Sequence, residues 1–152
     1  MNIIQKKLHL ITYGNGNKFD IAKFKPIRNK NFVKPHGGLW ASPINSKHGW
    51  HDWCKNEEYD GIGNSFFIYW FIGNILVIDN LKHAKEMPWR SCTILQEWPD
   101  FEKIANLGVD AIHLTEKGEI ETRFSNPSLY GWDCECVLII NPNGIIEKNE
   151  ND

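Results

Sequence analysis

Hydrophobic positions along this chain come mostly in short alternating runs, and only two stretches repeat at helical spacing. "LHLITYG" (8–14) reads as a strand closed by a glycine, and "GLWAS" (38–42) as a second. Between them, residues 15–36 read as loop, interrupted by Pro26 and Pro35. "SFFIYWF" and "NILVIDN" flank Gly73-Asn74, a pattern that predicts a hairpin. "VDAIHLT", a turn at "EKGE" and "IETRF" predict a second hairpin, and "CECVLIIN" a last strand that stops at Pro142. Trp50, Trp53 and Cys54 give "HGWHDWCKNEEY" (48–59) a helical face. "PDFEKIANLG" begins with proline and ends with glycine around Phe101, Ile104 and Leu107, a helix with suitable ends. Residues 80–93 fit neither period. Many short strands and few helices, out of strict alternation, predict an α+β domain on antiparallel or mixed sheets.

With 152 residues the chain is long enough for one domain with a real core, read here as residues 1–147 followed by a polar tail over 148–152. The net charge of −2 gives no general basic surface for coating nucleic acid. The cationic runs "KKL", "KFKPIRNKNFVK" and "LKHAK" read as solvated loops. No signal-peptide pattern and no apolar run of membrane-spanning length is visible, which predicts a cytoplasmic protein without a membrane partner. Cys54, Cys92, Cys134 and Cys136 form no CxxC pair and read as reduced thiols.

One stretch asks for a ligand. In "KPHGGLWASPINSKHGWHDWC" (34–54) two glycines precede Trp40, and Trp50 and Trp53 follow. A core accounts for tryptophans but not for adjacent glycines; a flat molecule lying against the backbone accounts for both. Glu135 is the second conspicuous residue. It opens a strongly apolar strand in "GWDCECVLIINP", where alternation points it away from Cys134 and Cys136. A carboxylate there lies at a wet sheet edge or has a partner.

These segments together resemble the signature strands of the ADP-ribosyltransferase superfamily, on its diphtheria-toxin and poly-ADP-ribose-polymerase side. That family has a first strand ending in His-Gly, a second reading Gly-hydrophobic-Tyr-Phe-Ala/Ser that leads into a helix, and a late strand with one Glu before hydrophobics and Asn/Asp-Pro. "LITYGN", "GGLWASPINSKHGWHDWC" and "DCECVLIINPNGI" stand in those places, in order, across residues 8–146. "FEKIANLGVDAIHLTEKGE" resembles the helix and strand that lie between.

The resemblance implies a split two-sheet β core with a few short helices, and a small transferase that cleaves the nicotinamide–ribose bond of NAD, without a metal. ADP-ribose would pass to a macromolecular acceptor, protein or nucleic acid. Gly14 would offer its backbone to the nicotinamide carboxamide, Trp40 would stack on the ring, and Ser42 would hydrogen-bond the cofactor. Glu135 would bind a ribose hydroxyl and stabilise the oxocarbenium ion. Tyr13 stands where the family has His, and Asp133 stands two residues before Glu135, where it could act as a general base toward the acceptor. Arg28 and Arg123 are the candidate partners of the pyrophosphate. By analogy, such a compact transferase would suit a bacterial toxin or a phage effector acting inside a bacterial cell.

Three other readings compete. A domain of this fold that has lost its chemistry would bind a nucleotide, a protein or a nucleic-acid strand against its tryptophans. His48, His51 and Cys54, with His36 nearby, are the candidate metal ligands, although their spacing turns them around a helix axis. Cys54 or Cys92 with His113 would make a thiol–imidazole pair.

Overall fold

The computed structural model describes residues 1–147, apart from the side chain of Cys92, so the polar tail lies outside the described residues. Among the described residues, eight strands and four α-helices follow one another as β1 (Ile3–Tyr13), β2 (Leu39–Pro43), α1 (Trp50–Asn56), β3 (Phe66–Ile78), α2 (Leu81–Glu86), β4 (Trp89–Thr93), β5 (Gln96–Pro99), α3 (Phe101–Asn106), β6 (Ala111–Leu114), α4 (Glu116–Thr122), β7 (Cys136–Ile139) and β8 (Ile145–Glu147). The chain is therefore α+β, as expected. Its strands lie in two sheets. A six-stranded sheet runs in the order β1-β2-β7-β6-β3-β8, and β4 and β5 form a separate hairpin. Because β1 also pairs with β3, the first five strands of that order close into a small barrel, a feature not read from the pattern.

Closure depends on β3. It was expected as two strands joined by a turn at Gly73-Asn74, but it is one strand of 13 residues. β1 holds it antiparallel from Ile3↔Leu76 through Tyr13↔Phe66 without a break. Gly73 is needed there for room, not for turning: an added Cβ would sit 2.7 Å from Asp110 Oδ2. The same oxygen accepts the Asn74 N–H at 2.7 Å, so Asp110 is packed onto the bare backbone.

The barrel wall divides the core. On one face, Leu10, Ala41, Tyr69, Ala111 and Val137, one from each of its five strands, belong to one buried cluster and fill the interior. On the other face Leu76, Ile112, Leu114 and Leu138 pack with Ala84, Phe101, Ile104 and Trp132 under the helices.

The second expected hairpin is also absent. Residues 116–122 are helix α4, capped by Thr115, whose hydroxyl accepts the Gly118 N–H at 3.0 Å. A Cβ at Gly118 would come within 2.0 Å of the Ile78 carbonyl oxygen, so glycine lets α4 settle on the end of β3. The local letters "EKGE" suit a turn, but the Thr-x-x-Gly cap and the close approach decide for helix.

Candidate functional site

The three segments that carry the family resemblance are spatial neighbours, because β2 lies between β1 and β7 in the sheet. Strand register sets which way each side chain faces. Ile11 is opposite Ser42, and Trp40 is opposite Leu138, so Ile11, Tyr13, Trp40 and Ser42 share the outer face of the barrel wall. On this face lies a cavity of about 340 Å³, lined among others by Tyr13, Gly14, Lys34, Trp40, Ser42, Trp50, Trp132, Asp133, Cys134 and Cys136. That is within the usual size for a small-molecule site, about 300–1,000 Å³.

Aromatic rings set its shape. Trp40 meets Trp132 edge to face, with centroids 4.9 Å apart, and Trp132 is fixed by its indole N–H on the Val33 carbonyl at 2.8 Å. Trp50 is held from behind by Trp53, stacked at 5.0 Å, and by Tyr59. Gly14 follows β1 at φ 78, a conformation that suits glycine, and its N–H goes to the Ser65 carbonyl at 2.9 Å. Lys34 is the cation of the cavity. Its ammonium lies 3.8 Å from Asp133 Oδ2 and 5.7 Å from the Trp40 ring centre. Tyr13 has its phenol pKa pushed up, first by burial and then by Asp52 and Cys54, so it is a neutral hydroxyl that can donate.

Five of the eight residues read from sequence therefore come together: Tyr13, Gly14, Trp40, Ser42 and Asp133. Ser42 has another task as well. Its hydroxyl accepts the Trp50 N–H at 2.9 Å and donates to the Glu135 carbonyl at 3.4 Å, tying α1 to the start of β7.

Glu135 does not join them. Its neighbours Asp133, Cys134 and Cys136 line the cavity, but its own side chain does not. It turns to the interior side at one mouth of the barrel, where Oε2 is 2.8 Å from His113 Nε2. Burial alone would raise the pKa of Glu135, but hydrogen bonds from His113 and Ser46 and the nearby His113 and His48 rings bring it below the ordinary glutamate value. An ionised carboxylate only accepts, so His113 Nε2 is the donor of this bond, while His113 Nδ1 is buried without a partner.

Neither arginine lines the cavity. Arg28 pairs its backbone with His36 and turns its guanidinium to the Ile27 carbonyl at 3.2 Å. Arg123 ends α4 and bonds Glu119 at 2.9 Å. Lys34, rather than either arginine, brings a cation to the cavity wall. It opens the very stretch singled out in the sequence, but a lysine before proline gives no local sign of facing a tryptophan.

The candidate metal ligands are spread over separate contacts. His48 faces Glu119 at 3.8 Å, His51 lies against Tyr13 with centroids 5.9 Å apart, and Cys54 is buried with its thiol pKa raised first by burial. Among the described residues no group of three or more His, Cys, Asp or Glu is arranged to hold a metal ion. His113 is engaged by Glu135 rather than by Cys54, and the side chain of Cys92 lies outside the described residues. Among the described residues no helix is long and apolar enough to cross a membrane. Comparison of the chain with protein-family models, curated proteins and solved structures finds no match to any of them.

Proposed function

We propose that this chain is a nucleotide-binding domain of ADP-ribosyltransferase type, which takes the nicotinamide end of NAD in the cavity on the outer face of the barrel. The observation that carries this reading is the convergence of Trp40, Trp50 and Trp132 with Tyr13, the Gly14 backbone and Lys34 around one hollow. Aromatic walls suit a flat ring, the Tyr13 hydroxyl suits a carboxamide or ribose oxygen, and the Lys34 ammonium suits a phosphate. The adjacency of β1, β2 and β7 supports the family reading, since the three resembling segments form one continuous wall.

Transfer of ADP-ribose to a macromolecular acceptor is the second reading, and Asp133 favours it. It is the carboxylate on the cavity wall, and it would face the positive charge that develops on the ribose as nicotinamide leaves. In this arrangement Glu135 supports β7 and has no contact with the reacting atoms.

Titration calorimetry with NAD tests binding. Trp40→Ala is expected to weaken affinity about tenfold or more through lost stacking. Absence of NAD binding by the unmodified protein overturns the reading. Nicotinamide release in the presence of a cell lysate separates the two versions. Release that disappears in Asp133→Asn but persists in Glu135→Gln supports transfer from this cavity. Binding without release leaves a module that holds the nucleotide.

A further inference from the structure

A second polar cluster lies at the mouth of the barrel where β3 and β6 end, separated by the β7 wall from the aromatic cavity. Two imidazole–carboxylate pairs meet there. Glu135 is held by His113 and by the Ser46 hydroxyl, and its side chain is 14% exposed. His48 is 31% exposed and faces the buried carboxylate of Glu119 at 3.8 Å. The two pairs are joined, because the Glu135 N–H donates to the His48 carbonyl at 2.8 Å and the His48 ring acts on the Glu135 carboxylate. Glu119 also binds Arg123 at 2.9 Å.

Beside them the surface changes character. The Arg123 guanidinium lies 5.7 Å from the Phe124 ring centre and 5.9 Å from that of Tyr130. Both rings are mostly in water, 84% and 61% exposed, with centroids 5.8 Å apart. An exposed aromatic pair around an arginine is a platform on which bases stack and a phosphate is held.

The chemistry narrows the substrate. Imidazole and carboxylate are suited to giving and taking protons, and the Ser46 hydroxyl is already engaged by the Glu135 carboxylate and the His48 N–H. A substrate that carries its nucleophile next to the reacting phosphorus suits such a site. RNA does so through the ribose 2′-hydroxyl.

We propose that this mouth is a second active site, which cleaves single-stranded RNA by internal transesterification between Glu135 and His48. The Glu135 carboxylate takes the proton of the 2′-hydroxyl, and the 2′-oxygen forms its bond to phosphorus as the bond from phosphorus to the 5′-oxygen breaks. His48, as imidazolium, gives its proton to the departing 5′-oxygen. Atoms and charge balance without a further reactant: the products are a 2′,3′-cyclic phosphate and a 5′-hydroxyl. Afterwards Glu135 returns its proton, and His48 regains one, by exchange with solvent. Arg123 offsets the phosphate charge, Phe124 and Tyr130 hold the flanking bases, and His113 is a positioning residue that aims the carboxylate. Glu119 keeps His48 oriented.

The test uses the full chain with a fluorescent single-stranded RNA oligonucleotide, the same oligonucleotide made of DNA, and product-end analysis. Cleavage of RNA but not DNA, leaving cyclic-phosphate ends, is expected. Glu135→Gln and His48→Asn should each slow it by about a hundredfold or more, the usual scale of acid–base catalysis. Lys82→Ala, on an exposed helix face, should leave the rate unchanged. His113→Ala should also be slow, and His113→Gln, which keeps a donor, should restore part of the rate. Circular dichroism on each variant separates loss of chemistry from loss of fold. No RNA cleavage by the unmodified protein, or equal cleavage by Glu135→Gln and His48→Asn from folded preparations, overturns the proposal. Neither result bears on NAD binding in the aromatic cavity, which is measured separately.

Discussion

At the scale of single residues, the side of the β7 wall that a carboxylate faces decides what it can do. Asp133 reaches the outer cavity and meets Lys34, whereas Glu135 turns inward to His113. The inward position gives Glu135 a pH signature. Its pKa in the folded chain is lowered, so its contribution to stability is complete above the ordinary glutamate range, near pH 4.3 or so, and is lost as pH falls through the lowered value. Urea unfolding from about pH 7 to about pH 3 should therefore show the unmodified protein losing its advantage over Glu135→Gln as the medium becomes acidic. An advantage that grows toward acid would contradict the ionised, hydrogen-bonded state described above.

At the scale of elements, α4 shows how one cap overrides a turn-like sequence. The Thr115 hydroxyl accepts from Gly118, and it also donates to Asp79 at 2.7 Å, joining the start of α4 to the end of β3. Thr115→Ala should lower unfolding free energy by about 1–2 kcal/mol, the range for a lost N-cap. Amide exchange should rise selectively over residues 116–122, because the cap holds the first turn of this short helix. Since α4 carries Glu119 and leads directly into Arg123, the same variant should also loosen the polar mouth of the barrel. The β1–β3 pairing is the opposite case, with one long ladder holding many weak contacts in a single register.

For the whole molecule, closure of the barrel places Tyr69, Phe71 and Ile75 in a common interior with Leu10, Val137 and Ile139. Phe71 is fully buried, so Phe71→Ala should cost about 3–5 kcal/mol. Phe124→Ala, which removes a ring already in water, should leave the midpoint of unfolding nearly unchanged. Both proteins should unfold in one cooperative transition if the two faces of the wall share the same strands. Separate transitions for the barrel and the helix-covered face would show that the wall does not couple them.

Part of this organisation was legible in the letters alone. Alternation in "LHLITY" and the apolar run in "CVLII" marked strands, and the Pro-to-Gly punctuation around Phe101 and Ile104 marked α3, because short-range sterics and burial period act within a few residues. The glycines before Trp40 and the clustering of tryptophans pointed to a hollow, and five of the residues read from that stretch and its relatives do meet around one. Gly73 and Gly118 misled, since the sequence shows that a side chain is missing but not what fills its place; Asp110 and the Ile78 carbonyl do so from distant segments. The pairing of β1 with β3, the facing of Lys34 onto Trp40, and the turn of Glu135 toward His113 depend on strand register and ring closure. A shift of one residue in a register exchanges the two faces of a strand, so only the assembled fold could decide which groups share a site.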